Sequence, residues 1–547
     1  MQAAVLCTIL ALCVVPALAQ HQHAGTAKAA VDLHPGLGNY HYPIATRNPE
    51  TQKYFDQGLT LLYGFNHDEA ARYFRRAAEL DPEAAMTYWG LALSIGPNYN
   101  DTAVDENRAK ATYEAVQNAL QRAPKTNARE QDYIRALAKR YSSPDPKADW
   151  KQLHLDYSEA MRELVKKYPD DLDAATMFAE SLMMLRPWQL WTLAGEPAPG
   201  TLELVAVLES VLRRNPDHPG ANHLYIHAVE ASPNLERAIP SAMRLMTLVP
   251  GAGHLVHMPG HIFLQTGDYE LAAKTNVNAA AADKAFVERT GATGIYPMMY
   301  WTHNIHFIAY ARAQQGRYAE AKQAANEMVQ NVGDADLQMQ MLEGFLLYPL
   351  MIDVRFHRWT EILKTPEPQA ERALLKAFWQ GARSMALARQ GKVKEAVAEQ
   401  QQFESLRKTI PAESQYLINN KSSDLLALAG AILEAELAWA LGEKDRSIDK
   451  WRRAVELEAR IQYDEPPAWF YPVRQSLGAA LLRNGKAREA EAIFRAAIEK
   501  SPRDGRLLFG LWQSLKAQNR DNDAALVEQQ FKASWTEATE KLGIEDL

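Results

Sequence analysis

From Thr51 to about Trp535 the apolar residues recur at the three- to four-residue spacing of one helix face. In FDQGLTLLYGFNHDEAARYFRRAAELDPEAA, two such runs flank a turn at residues 65–67, and Pro82 follows the second run. Proline lacks a backbone N–H and clashes with the preceding helical turn, so it marks where a helix ends. The pattern therefore predicts helix–turn–helix units and an all-α fold.

Small and aromatic residues recur at fixed positions within these units. They are Gly58, Ala70, Phe74 and Ala77 in the first unit, and Gly478, Gly485, Ala490, Phe494, Ala497 and Pro502 near the carboxyl end. Weaker copies occur in ALARQGKVKEAVAEQ and ARAQQGRYAEAKQAAN. This spacing resembles the tetratricopeptide repeat, a helix–turn–helix unit of about 34 residues. The resemblance implies a right-handed superhelical solenoid with a concave groove, an architecture that mostly serves as a binding scaffold.

Three stretches interrupt the helical pattern. Glycine and proline predict loops at residues 187–199, which include Trp188 and Trp191, and around residues 291–300. In YDEPPAWFYP, residues 463–472, adjacent prolines exclude a helix, and we interpret this segment as a connector between repeats rather than a lid over a site. The chain then divides into a signal peptide (1–19), a flexible amino-terminal arm (20–46) and four runs of repeats (47–186, 187–330, 331–460 and 461–547).

The first 19 residues form an apolar run that ends in Ala17-Leu18-Ala19, the small-residue pattern of a signal-peptide cleavage site. We therefore expect an exported protein, periplasmic or extracellular. Both cysteines, Cys7 and Cys13, lie in this run, so the mature chain would have no thiol for a disulfide or a zinc–thiolate site. No later segment is long and apolar enough for a transmembrane span after cleavage.

The net charge is −7 and no lysine- or arginine-rich run occurs, which argues against nucleic acid as a partner. The sequence also lacks Gly-x-Ser-x-Gly, His-Glu-x-x-His, the phosphate-binding Gly-x-x-x-x-Gly-Lys-Ser/Thr and the dinucleotide fingerprint. Sequence motifs therefore assign no enzymatic reaction. Any chemistry must come from another group of residues.

Histidine supplies that group, since seven of the 15 histidines lie between residues 223 and 306. Pro216 and Pro250 are 34 residues apart, so each can end one repeat and set the register of the next. The register assigns the histidines to three successive first helices: His223 and His227; His254, His257 and His261; His303 and His306. The resemblance implies that these positions face the groove. Because stacked helices lie roughly 10 Å apart, we expect the imidazoles to meet there.

A His-x-x-x-His pair on one helix face can chelate a metal ion, and neutral imidazole suits copper, zinc and iron. We therefore predict a transition-metal site. The histidines outnumber the four positions of one tetrahedral coordination shell, so the site could hold two ions. The predicted ligands are His223, His227, His254, His257, His261, His303, His306 and Glu230, with Glu180 and Tyr310 as additional groove residues. In contrast, we interpret His67, His218 and His357 as solvated or hydrogen-bonded side chains.

Three functions remain open at this point. In the first, the protein is a metal-binding repeat protein, and the bound metal could make it an enzyme. Alternatively, it is a metal-free scaffold whose groove binds a peptide or protein, or a metal carrier that passes its ion to another protein. An open coordination position distinguishes an enzyme from a closed structural site.

Overall fold

The computed structural model describes residues 31–333 and 342–547, which are almost entirely helical, so the predicted all-α fold is confirmed. The predicted signal peptide lies outside the described residues. The helices before residue 334 are α1 (Pro49–Tyr63), α2 (His67–Leu80), α3 (Ala85–Ile95), α4 (Glu106–Arg122), α5 (Ala128–Arg140), α6 (Trp150–Lys167), α7 (Leu172–Met183), α8 (Thr201–Arg214), α9 (Pro219–Val229), α10 (Ile239–Leu248), α11 (Gly253–His257), α12 (Pro259–Thr266), α13 (Tyr269–Thr290), α14 (Thr302–Gln314) and α15 (Tyr318–Val332).

The rest of the chain continues the same architecture. Its helices are α16 (Glu343–Arg355), α17 (Trp359–Lys364), α18 (Ala373–Arg389), α19 (Val393–Arg407), α20 (Ser422–Ala440), α21 (Lys444–Glu458), α22 (Arg474–Arg483), α23 (Ala487–Lys500), α24 (Gly505–Lys516) and α25 (Asp521–Ser534). A short antiparallel pair, β1 (Gln415–Tyr416) and β2 (Asn420–Lys421), precedes α20. In neither described part of the chain does a helix have the length and apolar character needed to cross a membrane. One continuous core includes residues from all four predicted runs of repeats.

A buried phenylalanine holds together three helices at each end of the array. The ring of Phe74 in α2 is fully buried and lies against Gly58 in α1 and Gly90 in α3. A side chain at Gly90 would overlap this ring, so glycine is needed for the close approach. The equivalent contacts at the carboxyl end are those of Phe494 with Gly478 and Gly510. The small-residue spacing in the sequence therefore reflects close helix packing.

The turn inside a helix pair requires one residue with a left-handed backbone. In the α12–α13 turn, for example, the amide of Asp268 donates to the carbonyl of Phe263 at 2.8 Å, which closes the helix end. Glycine adopts this conformation without a Cβ clash. The turn residues are Gly267, Gly316, Gly391, Gly442 and Gly485, together with Phe65, His357 and Asn519. Phe65 is the bulky exception, and a non-glycine residue in this conformation costs about 1 kcal/mol or more.

The amino-terminal arm is packed rather than flexible where the structure describes it. Residues 31–46 are largely extended, and Leu37, Tyr42 and Ile44 are buried in the core. The Tyr40 hydroxyl donates to Asp173 in α7 at 2.8 Å. The described part of the arm is thus extended and packed, because its apolar side chains find partners on the helices. Residues 20–30 lie outside the described residues.

The two predicted loops differ in outcome. Residues 187–199 form a loop, as expected. The second loop is shorter than expected, because residues Tyr296–Trp301 form a π-helical turn that runs directly into α14. Pro297 is compatible with this turn because it occupies a first-turn position, where a backbone N–H has no helical partner.

The inward face of the array is closed by contacts between distant repeats. Helix α1 contacts α9, and Trp535 from the carboxyl end lies against Gly316 in the α14–α15 turn. The amide of Thr539 donates to the carbonyl of Gly316 at 3.2 Å, and Arg503 pairs with Asp268. The expected open groove is therefore filled by protein in this region.

The Phe494 contact gives a direct test of the packing. Gly510→Ala should lower the free energy of unfolding by about 1–3 kcal/mol, because the methyl group would overlap the Phe494 ring. Gly381→Ala in α18 is the matched control, since its methyl would lie 3.4 Å from Leu433 in ordinary contact. The control should be neutral or stabilise by up to about 1 kcal/mol. Denaturant unfolding of both variants measures this, and equal losses would contradict the packing.

Candidate metal centre

Helices α9, α11, α12 and α14 bring six imidazole rings together in one group. We call this group the histidine cluster: His223, His227, His254, His257, His261 and His303. The ring centroids are 4.9 Å apart for His223–His254, 5.5 Å for His254–His257, 4.6 Å for His257–His261, 5.4 Å for His227–His261 and 4.8 Å for His257–His303. Each ring thus touches another ring of the cluster.

The cluster is buried. Exposure is 3% or less for every member except His303, which is half-buried at the start of α14. The face on which the predicted groove positions lie is therefore covered by protein. The histidines lie at the predicted positions, but α1 and the segment after α21 cover the face on which they lie.

A break in one helix aligns three of these histidines. Pro259 lacks a backbone N–H, so α11 ends at His257 and α12 begins at Pro259. The bend is small enough for His254, His257 and His261 to remain on one face, as their three- and four-residue spacing requires. All three rings are therefore directed at α9 or at one another.

Four imidazoles are fixed by a hydrogen bond between Nδ1 and an oxygen. His223 Nδ1 lies 2.5 Å from the carbonyl oxygen of Tyr63, which is exposed to side chains because α1 ends there. The other pairs are His227 Nδ1 to Glu230 Oε1 at 2.9 Å, His261 Nδ1 to Glu230 Oε2 at 2.7 Å, and His257 Nδ1 to Asn276 Oδ1 at 2.7 Å. Carbonyl and carboxylate oxygens only accept, so in each pair Nδ1 carries the proton and donates.

Asn276 is held in the orientation that this assignment needs. Its Nδ2 donates to the carbonyl of Ala272 at 2.8 Å, which leaves Oδ1 facing His257. Gly260 lies against Asn276 Nδ2, with no room for a side chain between α12 and α13. The close helix packing therefore sets the orientation of the His257 ring.

With Nδ1 protonated in these four rings, each of their Nε2 atoms carries a lone pair, and those of His257 and His261 face each other. His257 Nε2 and His261 Nε2 are 2.7 Å apart, and His223 Nε2 lies 3.1 Å from His254 Nε2. Two facing lone pairs at 2.7 Å repel unless a cation lies between them. Within the described residues, His227 Nε2 and His254 Nδ1 are buried and have no hydrogen-bond partner. Such atoms are costly to bury unless something binds them.

The residues form three groups of possible metal ligands, and within each group the ligand atoms lie within 4.8 Å of one another. They are His223, His227 and His254; His257, His261 and His303; and His227, Glu230 and His261. The first two groups are imidazole triads. In the third, the two Glu230 oxygens already accept from Nδ1 atoms, so Glu230 orients both triads rather than competing for the ion.

Burial favours the neutral form of four of these imidazoles. It lowers the pKa of His223, His254, His257 and His303 well below 6.5, and the neighbouring imidazoles lower each pKa further. Burial alone would raise the pKa of Glu230, but its interactions with His227 and His261, which donate to its two oxygens, outweigh burial and hold this pKa low. A neutral imidazole is the form that binds a metal ion.

Glu465 is a member of the site that the sequence interpretation missed. Its Oε2 contacts His261 Nδ1, although it lies in the segment 463–472 that we expected to be a plain connector. Gln265 Nε2 lies 3.1 Å from Glu465 Oε1 and 2.9 Å from the Tyr463 hydroxyl, which fixes the segment over the cluster. Burial and the neighbouring Glu230 carboxylate raise the pKa of Glu465. The connector interpretation is therefore wrong.

Aromatic rings surround the cluster. Phe65, from the strained α1–α2 turn, lies with its ring centroid 4.3 Å from that of His223 and stacks on His227 and His254 at 5.9 and 5.5 Å. Phe307 in α14 covers the other triad, 4.6 Å from His257. Tyr99, Trp188 and Tyr300 complete the surround. These rings exclude water and keep the dielectric low around the imidazoles.

Three predicted site residues lie elsewhere. Glu180 faces Arg140 at 3.4 Å. Tyr310 is buried in α14, and this burial raises the pKa of its hydroxyl. The His306 ring packs on Phe345 and Tyr348, and in the described chain neither of its nitrogens has a hydrogen-bond partner. His306 lies about one helical turn after His303, the residue whose ring joins the cluster. The His306 ring is directed away from the triads, toward Phe345 and Tyr348.

Two of the three histidines that we interpreted as solvated or hydrogen-bonded do have partners. His218 Nδ1 accepts from the Ala221 amide at 3.2 Å, and its Nε2 lies 3.0 Å from the Tyr40 hydroxyl. His357 stacks on Trp359. His67 departs from the interpretation, because both of its ring nitrogens are buried and, in the part of the chain that the structure describes, unpaired.

Comparison with known proteins identifies repeats at both ends. Residues 55–95 and 476–538 match the tetratricopeptide repeat model, the two stretches in which Phe74 and Phe494 pack against paired glycines. No curated protein matches the chain. The chain therefore contains tetratricopeptide repeats, and the helix pairs between them continue the array without matching that model.

Several solved repeat structures are similar over most of the chain. The Cut9–Hcn1 heterotetramer of APC/C has 14% identity and a TM-score of 0.30, and the match covers 86% of this chain and 78% of that one. Yeast Tom70 has 10% identity, a TM-score of 0.26 and coverages of 88% and 92%. The human IFIT1 dimer with m7Gppp-AAAA has 11% identity, a TM-score of 0.28 and coverages of 91% and 92%. These likenesses are too low to bear on function.

The hydrogen-bond pattern predicts the imidazole tautomers. In metal-free protein, His223 and His227 should be protonated at Nδ1, the opposite of the tautomer that free histidine prefers, because Tyr63 and Glu230 accept from that nitrogen. Nitrogen-15 NMR of protein labelled at histidine measures this, with the exposed His41→Ala variant used to confirm signal assignment. Protonation at Nε2 in both residues would contradict the arrangement.

Proposed function

We propose that this protein binds transition-metal ions through the histidine cluster, with one ion held by His223, His227 and His254 and a second by His257, His261 and His303. Imidazole nitrogen is the natural ligand of zinc, copper and iron. The only cysteines, Cys7 and Cys13, precede the predicted mature chain, so no thiolate competes.

One observation carries the proposal. Nδ1 of His223, His227, His257 and His261 is engaged by an oxygen, and the Nε2 atoms turn toward one another. Metal-binding histidines nearly always donate their second nitrogen to a carboxylate or carbonyl. A packed core would instead use apolar residues, because converging lone pairs and unpaired buried nitrogens cost free energy, about 1–3 kcal/mol for each unsatisfied group.

The spacing of the nitrogens suits a metal ion. At a metal–nitrogen distance of about 2.0–2.1 Å, two nitrogens of a tetrahedral site are roughly 3.4 Å apart. The Nε2 atoms of His223 and His254, 3.1 Å apart, are close to this separation. The His257–His261 pair, 2.7 Å apart, requires a small opening.

Each triad supplies three protein ligands, the number typical of catalytic rather than structural zinc sites. A fourth position would take water or a small molecule, since larger substrates have no access to imidazoles as buried as these. Ions held by both triads, with Glu230 bonded to one histidine of each, would suit the activation of water for hydrolysis. A metal-dependent enzyme is therefore the form of the proposal that the triads favour.

The repeat array is a scaffold suited to protein or peptide binding, and this function does not depend on the histidine cluster. A peptide would bind elsewhere on the array, because five of the six clustered imidazoles are 3% or less exposed. A carrier must release its ion readily, which a site buried beneath Phe65 and the segment 463–472 opposes. Export through the predicted signal peptide remains part of the proposal.

Metal content tests the proposal. Untagged protein should contain a stoichiometric transition metal, and the His257→Ala/His261→Ala variant should lose at least the ion of that triad. The exposed His41→Ala variant should keep the wild-type content. Elemental analysis after dialysis measures this. Absence of metal after reconstitution with zinc, copper and iron would return the protein to a peptide-binding scaffold.

Substitutions at Glu230 and Glu180 give a matched comparison of metal affinity. Glu230→Gln should weaken metal affinity by about 10–100-fold, the usual effect of removing a partner of a ligating histidine, because one amide oxygen cannot accept from both His227 and His261. Glu180→Gln should leave affinity unchanged, since Glu180 faces Arg140. Competition with a chromogenic chelator measures both affinities, and equal effects would contradict the role of Glu230.

A further inference from the structure

Two imidazoles of the histidine cluster have no oxygen that orients them. Four of the six rings donate Nδ1 to an oxygen. Within the described residues, the rings of His254 and His303 have no such acceptor, and His254 Nδ1 is buried without a partner. Each of these two residues belongs to a different proposed triad. Their orientation must therefore come from the backbone of the helices that carry them, α11 and α14.

Asp283 in α13 contacts both of these helices. Its side chain is buried and accepts two hydrogen bonds, from the Tyr296 hydroxyl to Oδ1 at 2.9 Å and from Asn304 Nδ2 to Oδ2 at 2.6 Å. Asn304 directly follows His303 in the first turn of α14, and Tyr296 begins the π-helical turn before that helix. Each oxygen of one carboxylate therefore holds a different donor.

The first branch of this network leads to His254. Burial and the Asp283 carboxylate raise the pKa of the Tyr296 hydroxyl, and a hydrogen bond from the His254 backbone opposes this shift. A backbone N–H at the start of a helix has no partner within the helix, so that of His254 is available to donate. Gly253 lies against the Asp283 carboxylate, with no room for a side chain between α11 and α13. Asp283 thus holds the first turn of α11, from which the His254 ring projects.

The second branch leads to His303. The Asn304 side chain is buried, and its bond to Asp283 fixes the first turn of α14 against α13. Neighbouring residues have a fixed angular separation on a helix, so a held Asn304 also sets the direction in which His303 projects. His303 is the half-buried member of the cluster, so packing constrains its ring less than the others.

Asp283 has no cationic side chain to balance its charge. Its carboxylate is surrounded by two neutral donors, and no lysine or arginine of the described chain pairs with it. In contrast, the buried Asp353 in α16 pairs with Lys322 at 2.6 Å. A buried carboxylate without a nearby positive charge is costly. Metal ions bound by the adjoining helices would supply that charge.

We propose that Asp283 is a positioning residue of the metal centre, which holds His254 of one triad through Tyr296 and His303 of the other triad through Asn304. This role rests on the proposed metal binding, although Asp283 itself contacts neither ion. The two triads are then linked at a single carboxylate. Loss of one branch should therefore weaken the binding of one ion and spare the other.

Zinc affinities of proteins that retain one triad test the two branches separately. Two double variants provide these backgrounds: His257→Ala/His261→Ala and His223→Ala/His227→Ala. In the first, which keeps the triad of His254, Tyr296→Phe should weaken zinc binding at least about tenfold, as loss of an outer partner of a metal ligand usually does, and Asn304→Ala should not. In the second, which keeps the triad of His303, the two effects should be reversed. Competition with a chromogenic chelator measures each affinity.

Asp283→Ala should weaken zinc binding in both backgrounds. The matched control is Asp353→Ala, which removes another buried carboxylate that accepts from a tyrosine hydroxyl, that of Tyr318 at 3.0 Å. The control should lose stability and keep its zinc affinity. Equal effects of Tyr296→Phe in the two backgrounds, or equal losses of affinity in Asp283→Ala and the control, would overturn the positioning role. A failure of both parent backgrounds and of the wild type to bind zinc would instead refute the metal centre on which that role depends.

A measurement on metal-free protein covers the case in which a double variant does not fold. In the otherwise wild-type chain, Tyr296→Phe should shift the imidazole nitrogen-15 NMR signals of His254 more than those of His303. Asn304→Ala should have the opposite effect. Both substitutions remove one polar group and leave the six imidazoles in place. Equal shifts at the two histidines, or no shift at either, would contradict the two branches.

Discussion

The hydrogen bonds from imidazole Nδ1 to fixed oxygens are the constraint on which the site depends. Each one decides which nitrogen carries the proton and in which direction the other lone pair points. Their acceptors come from parts of the fold that are rigid for independent reasons: the carboxyl end of α1, a glutamate at the end of α9, and an asparagine held within α13. The helical array therefore acts as the frame that orients the rings.

The same frame explains an otherwise costly residue. The turns within the helix pairs mostly use glycine for the left-handed position, but the first described pair has Phe65. Its side chain covers the three imidazoles of His223, His227 and His254. Backbone strain at this turn is thus accompanied by an aromatic cover over one triad, and strained residues often occur at such sites.

The repeat register predicted much of this arrangement. Small residues such as Gly58 and Gly478 located the helix pairs, and the 34-residue interval between Pro216 and Pro250 placed His223 on a helix that faces the one with His254. Such features are local in the sequence, because helix periodicity and turns depend on neighbouring residues.

Long-range contacts could not be predicted in this way. Glu465 lies about two hundred residues from His261, and only the return of the chain over the central repeats brings them together. The burial of the cluster has the same origin, since α1 packs on α9 and the carboxyl end covers the α14–α15 turn. For His306, the register was right and the direction of the ring was not, because Tyr348 offers it a packing surface.

Anomalous X-ray diffraction at the absorption edge of the bound metal tests the central claim most directly. The account predicts anomalous density among the Nε2 atoms of His223 and His227 with His254, and among those of His257 and His261 with His303. Both peaks should lie within bonding distance of imidazole nitrogen, about 2.0–2.1 Å for zinc. Crystals of the reconstituted protein that show no peak in the histidine cluster, or a peak only at surface residues, would contradict it.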